Sequence, residues 1–141
     1  MINLDNPNYQ FVAARLLLFS VRKSLYGKVK DHPPFLNHIE KCVDLGVYDK
    51  TILDNYTKEE LSKVGNYINH NRDYLFTYAG LRQVVDKYLI QDRSTGRVYE
   101  TPQFMYMMIA ATIFPESPKA TRLDYVRRSY TAISKHKINI P

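Results

Sequence analysis

Apolar residues return at steps of three and four along most of this chain, and that period commits it to amphipathic helices. Phe11, Ala14, Leu18, Val21 and Leu25 form the first stripe, behind Asn6 as a cap and Pro7 in the first turn. Gly27 is placed to stop that helix. Leu16, Leu17 and Phe19 widen the apolar surface so far that the helix is expected to be covered on most sides and central to the core, with Arg15 and Arg22 on the opposite side.

Punctuation divides the rest. Asp31-His32-Pro33-Pro34 breaks the chain before a second helix bearing Phe35, Ile39 and Cys42, which ends near Gly46. A short helix fits 50–55. Thr57 with Glu60 makes a capping box for a helix over 58–70, because hydroxyl and carboxylate reciprocally satisfy free backbone donors. Tyr74, Tyr78, Leu81, Val85 and Tyr88 then line one stripe over 73–88, with Arg82, Gln83, Asp86 and Lys87 facing away.

A small hairpin is expected where Tyr88-Leu-Ile-Gln91 and Arg97-Val-Tyr99 flank the turn-rich Asp92-Arg-Ser-Thr-Gly96. Thr101-Pro102 opens the most apolar helix, 103–114, which Pro115 follows. Ser117-Pro118 opens the last, with Leu123, Val126, Tyr130 and Ile133 at helical steps. The chain then alternates, Lys137-Ile-Asn-Ile-Pro141, in the period of a half-buried strand with no later segment to pair it. The expected fold is therefore all-α: a single multi-helix domain over 1–141 with a small β-hairpin insert and a C-terminal extended strand that another polypeptide covers.

Composition narrows the function classes. At 141 residues the chain is about one domain, and 45% hydrophobic with 24% charged residues is an ordinary globular balance. The net charge of +6 favours a polyanion, but Arg22-Lys23, Lys28, Lys30, Lys119, Arg122 and Arg127-Arg128 are scattered between acids and read as a solvated surface. Most of the twelve tyrosines fall at helical spacing and read as core edges with the hydroxyl at the rim. Cys42 is the sole cysteine, so no intramolecular disulfide forms and a reducing compartment is expected. No secretory pattern opens the chain, and the longest apolar stretch, 104–114, is far short of the ~20 residues a membrane span needs. A cytoplasmic protein is expected.

Chemistry is hard to find in the residues. His32, His38, His70 and His136 stand far apart, and His70 with Asp73 is the nearest approach to a metal pair. Cys42 falls on an apolar helix side with no evident activating base nearby in sequence. Neither phosphate-binding glycine motif occurs, and Thr95-Gly96 is explained by a hairpin turn. Asp5, Asp49, Asp54, Glu59, Glu60, Asp73, Asp86 and Glu100 read mostly as caps or polar-face residues. A helix-turn-helix over 57–88 is disfavoured by the acidic, aromatic first turn Asp73-Tyr74-Leu75-Phe76. No catalytic, cofactor-binding or metal-ligating residue is assigned.

Taken in order, Asn8-Tyr-Gln-Phe-Val-Ala-Ala-Arg15, Arg22-Lys-Ser-Leu-Tyr-Gly27, Tyr56-Thr-Lys-Glu-Glu60, His70-Asn-Arg-Asp73, Lys87-Tyr-Leu89, Thr95-Gly-Arg-Val-Tyr-Glu-Thr-Pro-Gln-Phe104 and Lys137-Ile-Asn-Ile-Pro141 resemble the helical N-terminal domain of the large, catalytic subunit of class I ribonucleotide reductases of the bacterial and phage kind. The resemblance implies a share in reducing ribonucleotides to deoxyribonucleotides for DNA synthesis, through a barrel whose functional residues lie beyond Pro141. None of them maps onto this chain, and Cys42 matches none of the family's functional cysteines. The ATP cone that usually precedes this domain is not matched either, and Asn71 stands where an acidic residue is common.

The resemblance therefore implies a structural, supporting domain, inactive alone, with no cofactor in this chain. Its partners would be the barrel part of the large subunit and, through the assembled enzyme, the radical-generating small subunit. It implies no membrane association, and nucleic acid is disfavoured. The alternative is an independent basic helical module that binds nucleic acid or a protein.

Overall fold

The computed structural model describes residues 7–27 and 32–135, and their regular structure is helical apart from one two-stranded hairpin. The helices are α1 (Pro7–Tyr26), α2 (Phe35–Asp44), α3 (Thr51–Asn55), α4 (Lys58–Gly65), α5 (Tyr78–Gln83), α6 (Pro102–Ile113) and α7 (Arg122–Ser134). The hairpin pairs β1 (Gln91–Asp92) antiparallel with β2 (Arg97–Val98), Gln91 facing Val98 and Asp92 facing Arg97. The expected C-terminal strand, the Asn6 cap and His136 lie outside the described residues. Two compact units are distinguished, one of Met1–His32 with His70–Pro102, the other of Pro33–Asn69 with Gln103–Pro141.

In the first unit α1 packs on α5 and on the 3-10 turn His70–Leu75. Ala14, Leu18 and Val21 are buried from α1, with Leu81, Val84, Val85 and Leu89 from the later segment. Gly27 ends α1 at φ +72°, a conformation only glycine adopts freely. The expected covering of α1 on most sides is corrected: Phe11, Val12 and Leu16 are exposed. Arg22, placed on the polar side from sequence, is 3% exposed and belongs to the core.

The helix expected over 73–88 starts later and ends differently. Thr77 caps α5 by accepting a hydrogen bond from the Gly80 amide at 3.2 Å, so helix resumes only after the 3-10 turn. Val84–Tyr88 then widens into a π turn, and the Leu89 amide reaches back five residues to the Val84 carbonyl at 3.0 Å. The hairpin follows as expected. Asp92 accepts from the Ser94 amide at 2.9 Å, and Gly96 turns the chain at φ +75°. Glu100, read as a polar-face residue, is instead buried and accepts from the Ile90 amide at 3.0 Å, which latches the hairpin base.

In the second unit α4 packs on α2 and α7. The Thr57–Glu60 capping box is present: the Glu60 amide donates to Thr57 Oγ1 at 3.1 Å, and the Thr57 amide donates to Glu60 Oε1 at 3.0 Å. Helix 58–70 was expected, but α4 stops at Gly65. Tyr67 and Ile68 bond back only three residues, and the Asn69 amide is taken by the Tyr130 hydroxyl at 2.9 Å. The last helix likewise starts at Arg122, after a turn in which the Thr121 and Arg122 amides both bond Pro118. α6 is buried on nearly all sides, from Phe104 through Met107 and again at Ala110 and Ala111.

Close approach of α2 and α4 depends on Gly65. A Cβ there would lie 2.7 Å from Phe35 Cβ, the stem of a buried ring that cannot swing away. Gly65→Ala is expected to lose about 1–3 kcal/mol in urea unfolding despite alanine's better helix propensity. A variant as stable as the parent would show that the two helices separate freely.

Candidate functional site

Three groups of buried polar side chains are the places where chemistry could reside. In the first unit Arg22 donates through Nη2 to Asp73 Oδ2 at 3.1 Å and to the His70 carbonyl at 3.1 Å. The Tyr74 ring lies under both Arg22, at 5.4 Å, and Arg15, at 4.8 Å. Asp73 is 1% exposed, which corrects its reading as a surface or capping acid. Beside this pair His32 and His70, distant in sequence, stack at 3.7 Å with rings 5° from parallel, and Tyr26 meets His32 edge-on at 5.7 Å. Parallel stacked imidazoles aim their ring nitrogens alongside each other rather than at one point, which is not how two ligands hold one ion.

In the second unit His38 shares a hydrogen bond with the Tyr48 hydroxyl at 2.8 Å and stacks on Phe104 at 4.2 Å. Its Nε2 lies 3.8 Å from Cys42 Sγ, so the absence of a base near Cys42 is corrected. The sequence signal was there: four residues on a helix put both on one side. Burial, then the charge of Lys41, pushes His38 down to about 4, so the ring is neutral near pH 7 and offers no cation to stabilise a thiolate. Cys42 is 1% exposed and packs as a small hydrophobe.

The third group ties the helices of that unit together. Arg122 donates through Nε and Nη2 to both Glu60 oxygens, at 3.0 and 2.6 Å, and through Nη1 to the Pro115 carbonyl at 3.1 Å. The guanidinium holds the Glu60 carboxyl below its ordinary value, and it lies 4.5 Å above the Tyr56 ring. Tyr130 donates to Gln103 Oε1 at 2.6 Å while accepting from the Asn69 amide. Tyr56 donates to the Ala111 carbonyl at 2.6 Å. These hydroxyls are inside rather than at the rim, and Arg122 is buried rather than solvated; tertiary partners made both placements favourable.

Tyr130→Phe is expected to cost about 1–3 kcal/mol, since it strands a buried amide oxygen and a backbone donor at once. Thermal unfolding of the variant checks this, and an unchanged midpoint would remove the hydroxyl from the account.

None of these groups combines a nucleophile, a base and room for a substrate. The open depression along α7, about 430 Å³, is lined by Asp124, Arg127, Arg128, Thr131 and Ala132, and there Arg128 is already paired with Asp124 at 3.0 Å. Among the described residues no cluster of three or more His, Cys, Asp or Glu is placed to hold a metal ion, and no helix is long and apolar enough to cross a membrane. The helix-turn-helix span fares no better, because twelve residues containing a 3-10 turn separate α4 from α5.

Residues 74–141 match the family described as ribonucleotide reductase, all-alpha domain. All 141 residues align with ribonucleoside-diphosphate reductase 1 subunit alpha of Salmonella typhimurium at 45% identity and with that of Escherichia coli K12 at 44%. The alpha subunit of Enterobacteria phage T4 is 42% identical over 140 residues, 99% of this chain. The chain spans 18% of the length of each of these relatives. Along its whole length the helical chain is thus similar to ribonucleotide reductase large subunits, and its second half matches the all-alpha domain of that family.

Proposed function

We propose that residues 1–141 act together as the supporting helical domain of a ribonucleoside-diphosphate reductase large subunit, in the cytoplasm, and carry none of the reaction themselves. The observation that supports this reading most is a match to alpha subunits along the whole chain, joined to buried polar contacts, Arg22–Asp73, Arg122–Glu60 and Tyr130–Gln103, that tie its elements together. Such a domain contributes a rigid wall rather than a reacting group. Catalysis, the radical-generating small subunit and nucleotide binding then belong to the polypeptide with which these residues assemble.

Reconstitution tests this. The 141-residue chain alone, supplied with a small subunit and ribonucleoside diphosphate, is expected to give no deoxyribonucleotide, whereas an alpha subunit in which it replaces the matching stretch of the Escherichia coli protein is expected to turn over. Turnover by the chain alone would sink the proposal, and so would a folded but inactive hybrid. Arg22 and Arg122 are each spent on a carboxylate inside the fold, so neither is offered to a polyanion.

A further inference from the structure

α1 carries a second apolar stripe that the described fold leaves open. Val12, Leu16 and Phe19 follow at i, i+4 and i+7 and share one side of the helix, roughly opposite the buried Ala14, Leu18 and Val21. Val12 is 55% exposed and Leu16 65%, Phe19 is half-buried, and Phe11 at the margin is 41% exposed. A solvent-facing helix side normally carries polar residues, so a row of large apolar ones marks a surface that is covered in the assembled protein. Lys23 continues the row one turn beyond Phe19. α1 has no acidic residue in its 20 positions, and among the described residues no carboxylate is ion-paired with Lys23.

We propose that the Val12–Leu16–Phe19 side of α1 is the docking face for the rest of the large-subunit polypeptide, which meets it with an apolar surface bearing a carboxylate opposite Lys23. This rests on the large-subunit reading above. The occupant follows from proportion and charge: the chain is 18% of the length of its relatives, and the face is apolar with only basic margins.

The test uses Leu16→Asp in two settings, the 141-residue chain and the full-length Escherichia coli hybrid described above. In the chain alone the variant is expected to keep its unfolding midpoint within about 2 °C, as a surface substitution does. In the hybrid it is expected to speed proteolysis of the helical region about ten-fold and to lower turnover, while Leu16→Met behaves as the parent. Equal proteolysis of the Leu16→Asp and parent hybrids overturns the inference while leaving the large-subunit reading intact. A parent hybrid that is itself inactive, and digested as fast as the free chain, defeats that reading instead. A large drop in midpoint for the free Leu16→Asp chain would assign the face to the chain's own core. A parent chain that dimerises, with a monomeric variant, would give the face to a second copy; either result overturns the proposal.

Discussion

Replacing Asp73 with alanine is expected to remove about 3–5 kcal/mol of folding stability, because it deletes the carboxylate that pairs the buried Arg22 guanidinium at 3.1 Å. Both side chains are almost wholly shielded, 3% and 0% exposed, so water cannot screen the loss. The His70 carbonyl and the Tyr74 hydroxyl, at 3.1 and 3.4 Å, remain as acceptors but carry no full charge. A domain of this size is stabilised by about 5–15 kcal/mol in total, so the loss is a large share of it. The double variant Arg22→Met with Asp73→Ala should recover part of the loss, since no ion is then left in the closed site to bear desolvation. Urea unfolding of parent, single and double variants decides it. A single variant within 1 kcal/mol of the parent, an order-of-magnitude threshold, would mean that the pair opens to solvent.

What the sequence made legible follows from which interactions are local. Capping at Thr57 with Glu60, the turn at Gly96 and the stop at Gly27 are fixed within a few residues, and each appears where spacing placed it. Helix existence was equally plain from the apolar period, whereas helix ends were not. α4 ends early, with Tyr67 and Ile68 bonding back only three residues, and the Asn69 amide goes to Tyr130, 61 residues away, a partner no local pattern announces. Arg22, Asp73, Glu100 and Arg122 were all misplaced on the surface for one reason. A charged residue is buried only when its partner is brought from elsewhere in the chain, and Arg22 and Asp73 are 51 positions apart. The His32–His70 stack was invisible on the same grounds.

α1 is the instructive case in the other direction. Its sequence says that the helix is covered nearly all round, and the structure leaves one side bare. On the docking proposal above, the pattern would describe the helix in its assembled surroundings. Among the described residues Arg22 with Asp73 and Arg122 with Glu60 are spent on each other, pairings that spacing alone does not reveal.

Acidification from pH 7 to 4.5 should unfold the second unit more readily, with His38 as the cause. A proton on its ring must enter a site closed by Phe104, Tyr48 and Cys42, which is why burial, followed by the charge of Lys41, lowers it from 6.5 to about 4. The unfolded chain therefore takes up that proton first. The stability contributed by the neutral ring is complete above pH 6.5 and is lost as pH falls towards 4, to a limit of about 3 kcal/mol. Carboxyls held low, such as Glu60, weaken the fold in the same direction but only below about pH 4.5, so the interval above it reports histidine. His38→Gln keeps a hydrogen-bonding partner for the Tyr48 hydroxyl and cannot titrate. Its stability should fall less steeply than the parent's between pH 7 and 4.5, by up to about 2–3 kcal/mol in urea midpoints converted to free energy. Parallel profiles for the two proteins would show that water or a rotated ring accommodates the charge. A steeper parent profile would establish that the interior of this unit tolerates His38 only as a neutral group, and with it that the His38 ring is no imidazolium partner for Cys42.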